Sequence, residues 1–189
     1  MADVSGDIRL AIFGVATLFL GYISRASLLR PKSHGFYRFF VFEIIVLLVL
    51  INVPRWFIDP FSWHQIVSWI LLMSAFIPLI LGVRALRLHG RPDASTRPET
   101  ELLAFERTSR LVREGIFRFI RHPMYSSLLL LAWGIFFKVL SGTGVALAIL
   151  ATAGLMLMAK IEEAECMLVF GQEYREYMRH TRRFIPYVL

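Results

Sequence analysis

Five apolar stretches, at residues 10–23, 39–53, 66–83, 124–137 and 139–159, constrain this chain more than any other feature. A helix that crosses a bilayer needs about 20 mostly apolar residues, with about 17–25 as the working range. The stretch 66–83 is uncharged and holds Pro78, where a kink is expected. The stretch 39–53 contains Glu43 and is closed by Pro54. A carboxylate at mid-bilayer costs roughly 2.5–3.5 kcal/mol, so Glu43 is expected to face protein or water through a structural hydrogen bond. Only Lys138 and the turn-like Ser141-Gly142-Thr143-Gly144 separate the last two stretches. They therefore read as a helical hairpin whose second arm continues into charged sequence and ends near Phe170-Gly171, with Gly171 as its cap.

Composition supports the same class. Hydrophobic residues make up 57% and charged residues 19%, against about 45–50% and about 25% in ordinary globular chains. That balance excludes a disordered chain and argues against a water-soluble enzyme. The expected fold is an all-α integral membrane protein with about five transmembrane helices, a C-terminal helical hairpin and a cytoplasmic tail. The acidic start, Met1-Ala2-Asp3-Val4-Ser5-Gly6-Asp7, lacks the basic character of a secretory signal, so the first stretch is expected to stay as an anchor.

The net charge of +7 is distributed unevenly. Residues 24–38 hold four Lys and Arg, residues 84–123 nine, and the tail from Lys160 five, which is 18 of the 21. Alternating spans put all of these on one side, which the positive-inside bias makes cytoplasmic, with the N-terminus outside and the C-terminus inside. This explains the basic balance without nucleic acid, for which no reader motif is present. Membrane lipids are the expected surroundings. The single cysteine, Cys166, excludes an internal disulfide and a cysteine-based zinc site. The five histidines (34, 64, 89, 122 and 180) have no metal-ligand helical spacing, so no metal is expected. Residues 1–83 form an N-terminal set of three spans, and 84–189 carry the connection, hairpin and tail. Within that connection, 101–113 mixes Leu102, Leu103, Phe105, Leu111 and Val112 with charges, as an amphipathic surface helix does.

Two charged clusters flank the hairpin. In Arg121-His122-Pro123-Met124-Tyr125 the proline pushes His122 into extended geometry and is itself well placed as the first helical residue. The open helix start beside Arg121 suits a carboxylate or phosphate; a basic membrane-flanking cap is the structural alternative. In Lys160-Ile161-Glu162-Glu163-Ala164-Glu165 the adjacent glutamates diverge by about 100°, and Glu163 is spaced to pair with Lys160. A solvated helical face is the plain reading of this second cluster. The hairpin nevertheless brings both clusters to one membrane surface, where an organic cation carrying a carboxylate would fit between them. Tyr174 and Tyr177 share a helical face, as interfacial anchors do.

Leu111-Val112-Arg113-Glu114-Gly115-Ile116-Phe117, Arg121-His122-Pro123-Met124-Tyr125, Glu162-Glu163, Phe170-Gly171, Tyr174, Tyr177 and Ile185-Pro186 together resemble the isoprenylcysteine carboxyl methyltransferase family. The same pieces are similar to the wider group of membrane phospholipid methyltransferases. The resemblance runs from about Leu111 to the C-terminus. It implies an S-adenosylmethionine-dependent methyltransferase acting on a lipophilic or lipidated acceptor, without a nucleotide-binding sheet. It further implies that Arg110, Leu111, Val112, Phe117, Arg121, His122, Pro123, Met124 and Glu162 hold the donor. Phe117 replaces the family's usual tyrosine, and Ile116 a frequent proline. Arg121, Glu163 and Lys160 are the candidate catalytic residues. Glu163 would serve as general base for a protonated amine acceptor, and Lys160 would hold an anionic one. Phospholipid amine methylation is the alternative reaction, and a non-enzymatic scaffold or transporter component is the reading from another class.

Overall fold

The computed structural model describes residues 6–31, 33–90 and 110–186. Its helices are α1 (Gly6–Ile23), the short α2 (Arg25–Leu28), α3 (His34–Asn52), α4 (Trp63–His89), α5 (Pro123–Phe136) and α6 (Gly142–His180). The described residues form no strand; one isolated parallel bridge joins Ile120 and Arg182. The protein is an all-α integral membrane protein. Helix α1, α3 with the 3₁₀ turn that follows it, α4 and α6 are long and apolar enough to cross a bilayer.

The α5 helix has 14 residues, which is about 21 Å of helix and short of a hydrocarbon core of about 30 Å. Its place in the bundle compensates, because α4 and α6 flank it. Ser68 donates to the Gly134 carbonyl at 2.7 Å. A Cβ on Gly134 would come within 2.9 Å of the Leu72 side chain, so glycine is what lets α4 and α5 approach this closely. Trp133 Nε1 donates to Thr152 of α6 at 3.1 Å. The same logic sets α3 against α6, where a Cβ on Gly154 would lie 2.6 Å from Val41.

These contacts produce one core shared by both halves of the sequence. Val41, Ile45, Leu48 and Leu72 pack with Ala132, Ile135, Ala151, Leu155 and Met158. Helix α4 continues through Pro78, which is buried inside it. Glu43 accepts a hydrogen bond from Thr17 of α1 at 2.8 Å, a structural bond across two spans. Helix α1 buries none of its residues. Gly171 does break α6: its φ of 55° and ψ of −126° are non-helical, a conformation with little steric cost only for glycine. Gly171 thus ends the long arm, 142–170, as expected, and a second helical arm, 172–180, follows it across the kink. Most of the expected amphipathic helix at 101–113 lies outside the described residues, and the described part, 110–113, is not helical.

Candidate active site

Proline geometry starts the site. Pro123 opens α5, and His122 before it has φ −123° and ψ 64°, outside the helical region as expected. The backbone around Ile120–His122, outside any helix, is then available for pairing. The chain after α6 pairs with it: Arg182 N–H donates to the Phe119 carbonyl at 3.0 Å, and Arg121 N–H donates to Arg182 at 2.7 Å. His122 N–H donates to the Arg183 carbonyl at 3.0 Å. Ser126 Oγ donates to the Phe184 carbonyl at 2.7 Å, fastening the tail across the first turn of α5.

This strap delivers a second arginine to the glutamate pair. Arg121 Nε donates to Glu163 Oε1 at 2.8 Å, and Arg183 donates to both Glu163 oxygens at 2.8–3.1 Å. The remaining Arg121 contacts run to the carbonyls of Met178 and Thr181 and to the Thr181 hydroxyl. Glu163 is buried at 3% exposure and fully engaged by guanidinium groups. Its partner is therefore not Lys160, which is exposed. Two charge-assisted contacts outcompete one flexible ammonium on the same helix.

Glu162 turns the other way. It lines a cleft with Leu86, Leu111, Val112, Phe117, Arg121, His122, Pro123, Met124, Tyr125, Cys166, Phe170, Tyr174 and Tyr177. The cleft holds about 670 Å³ of empty space, the open solvent at its mouth included. His122 Nδ1 lies 3.4 Å from Glu162 Oε2, and Nε2 lies 3.5 Å from Glu163 Oε1. The ring stacks on Tyr125 at 5.2 Å with a 2° interplanar angle. Burial disfavours the charged imidazole. The hydrogen bonds and charges of Glu162 and Glu163 outweigh burial, so the His122 pKa is raised above its ordinary 6.5. His122 Nε2 is also buried without a hydrogen-bond partner.

The cleft thus gathers Leu111, Val112, Phe117, Arg121, His122, Pro123, Met124 and Glu162 from the residues read in the sequence. Arg110 and Lys160 are exposed and do not line it, and Glu163 sits behind its wall. Tyr174 and Tyr177 are buried, not spread on a membrane surface, and Tyr177 donates to the Phe117 carbonyl at 2.7 Å. Sequence reasoning does not single out Leu86 or Arg183. Leu86 is one apolar residue among many, while Arg183 follows the last helix, where basic residues are ordinary. Only the chain reversal after His180 reveals its role.

The site's chemistry suits a ligand of both charges: one cleft-lining carboxylate among aromatic rings, with Arg121 and a helix start beside it. Residues 95–173 match the family model described as phospholipid methyltransferase. The matched stretch is similar to the phospholipid methyltransferase group. It contains the start of α5, Glu162, Glu163 and Phe170, and so most of the cleft. No curated protein and no solved structure gives a significant match. The phospholipid methyltransferase match supports a membrane methyltransferase acting on lipid-like substrates.

Proposed function

We propose that the chain is an S-adenosylmethionine-dependent methyltransferase whose acceptor enters from the bilayer, with isoprenylcysteine-type carboxyl methylation as the reaction. The observation that carries this reading is the cleft at the charged end of the α5–α6 hairpin, where Glu162 and His122 face Phe117, Tyr125, Tyr174 and Tyr177. Bound there, S-adenosylmethionine would supply a methyl group on a sulfonium, already activated for displacement. The residues present fit such a group. Aromatic faces and a carboxylate complement its sulfonium and ammonium, and the Arg121 side chain, which lines the cleft, offers a donor to its carboxylate.

What the chain's own residues contribute is alignment and exclusion of water. Glu163 holds Arg121 and Arg183 together, which fixes the strap and hence the cleft's floor. Glu162 is the carboxylate facing the cation. A carboxylate acceptor has no proton to lose, and that matches a cleft in which Glu163 is locked as an anion between two arginines. The family description favours a second reading, a phospholipid amine acceptor. In that case Glu162 is the carboxylate positioned to receive the proton.

We further propose that the cleft end faces the cytoplasm, because the basic loops gather there. Reporter fusions at residues 1 and 189 should then report opposite compartments. The reaction is tested by giving isotopically labelled donor to native membranes and identifying the labelled product by mass spectrometry. A methyl ester on a lipidated cysteine supports the first reading and a methylated headgroup amine the second. Absence of any labelled lipophilic product, with no calorimetric binding of S-adenosylmethionine, would leave the scaffold reading.

A further inference from the structure

A second polar concavity lies at the strap, apart from the cleft's lining. Its lining is Arg118, Phe119, Arg179, His180, Arg182 and Pro186, with no carboxylate among them. Three separate segments build it: the 3₁₀ turn Gly115–Arg118, the last turn of α6 and the strap. Their relative placement is fixed by backbone and buried contacts, not by the arginines themselves. The Arg182 N–H bond to Phe119, the Ile120–Arg182 bridge and the Tyr177 bond to Phe117 hold the frame. The three arginine side chains are therefore preset and exposed. Among the described residues no ion pair engages them. An adjoining groove, lined by Arg113 and by Arg118, Arg179 and His180 of the shelf itself, holds one carboxylate, Glu176, which forms no ion pair with the shelf's arginines.

We propose that this shelf binds the phosphate of an anionic membrane phospholipid. Convergent guanidinium groups match phosphate oxygens in charge and geometry, and like-charged groups brought together without a counter-charge favour an anionic occupant. The apolar surface beside them selects the source. Phe119 lines the concavity at 45% exposure, and Ile185, next to Pro186, is 44% exposed. A lipid presents glycerol and acyl carbons next to its phosphate; a free phosphate ion has nothing to place there. The shelf shares no lining residue with the cleft, so it goes beyond the proposed reaction and does not depend on it.

The test uses the full-length purified chain and short-chain phosphatidylglycerol as probe, with phosphatidylcholine and inorganic phosphate as the other two arms. Each basic residue at an anionic headgroup layer is worth roughly fivefold in affinity, so three amount to about a hundredfold at low salt. The native protein should prefer phosphatidylglycerol to phosphatidylcholine by at least about tenfold, and inorganic phosphate at the same concentration should not displace it. The triple variant Arg118→Gln, Arg179→Gln, Arg182→Gln should lose that preference while keeping its helical circular dichroism and its affinity for S-adenosylmethionine. Should the triple variant fail to fold, Arg179→Gln alone should weaken phosphatidylglycerol several-fold. A preference that survives substitution overturns the site. Displacement by inorganic phosphate overturns the lipid as its occupant.

Discussion

The two ends of α5 each bury a cation, and they do so in opposite ways. At the Pro123 end, Arg121 and His122 meet Glu162 and Glu163, and one carboxylate of the pair opens into a cleft. At the other end Lys138 is 1% exposed, with its ammonium 3.5 Å from the Trp69 ring centroid and 5.4 Å from that of Trp56. It donates to Gln65 Oε1 at 2.9 Å, and Gln65 in turn donates to the Lys138 carbonyl. Burial lowers the Lys138 pKa. One end balances charge with charge and leaves room for a ligand. The other wraps charge in rings and closes around it, which makes it a staple between the α4 start and the α5 end.

Breaking the first end should have the largest effect. Arg121→Ala leaves Glu163 buried with one guanidinium partner where it had two. Removing one member of a buried pair costs about 3–5 kcal/mol. The expected outcome is a lower unfolding midpoint in detergent together with loss of S-adenosylmethionine binding measured by calorimetry. Retention of both would mean that Arg183 alone secures Glu163. Glu162→Gln comes next, because it removes the cleft-lining charge without disturbing the strap. Losing one partner of a desolvated charged contact costs about 2–5 kcal/mol, at least tenfold in donor affinity, with the unfolding midpoint nearly unchanged. Native affinity in this variant would return Glu162 to a solvated helix face.

At the staple, Lys138→Met keeps the side chain's length and removes its charge. Desolvated cation–π contacts are worth about 2 kcal/mol, but removing a buried charge also relieves its desolvation. The net loss of stability should be about 1–2 kcal/mol, and donor affinity should stay within about twofold. A large loss of donor binding from this end would show that the two ends of α5 are coupled and that the contrast drawn between them fails.

The same contrast explains what was legible in the sequence. Helix positions follow from apolar length, and Pro123, Gly171 and Pro54 mark real punctuation, because local sterics decide them. The Arg121-His122 and Glu162-Glu163 clusters are found by the hairpin argument, since one turn forces the two ends together. Which glutamate faces the ligand is not found that way. It depends on Arg183, which reaches Glu163 through a chain reversal about 20 residues downstream, and spacing along a helix suggests Lys160 instead. Lys138 reads as a boundary charge between two spans, and its aromatic housing comes from α4 and the turn before it, 69 to 82 residues away. Long-range pairing, not local pattern, assigns both.

The smallest expected effect comes from pH, and it also bears on the acceptor. His122 has a raised pKa, so the folded state binds its proton more tightly than the unfolded chain does. That contribution to stability is fully present below the unfolded value of about 6.5 and is lost as pH rises through the folded value. The native unfolding midpoint should therefore decline with rising pH above about 6.5, and the decline should shrink in His122→Gln to what the second buried imidazole–carboxylate pair, His34 with Glu165 at 2.6 Å, contributes. A decline of equal size in the variant would assign the titration to another group. Because His122 lines the cleft, its titration also shapes the native rate profile, and the acceptor is best read from His122→Gln at saturating donor, with rates scaled to the variant's own maximum. A carboxylate acceptor is ready at neutral pH and leaves that profile flat from about pH 6 to 9. An alkylammonium with a pKa near about 10.4 must lose its proton first, and the rate then climbs close to tenfold per pH unit. We expect the flat profile, in keeping with Glu163 locked between two arginines. A steep rise that Glu162→Gln removes would assign the acceptor to an amine, with Glu162 as its base, since general-base assistance is worth about 10²–10⁴-fold and alignment alone only a few-fold.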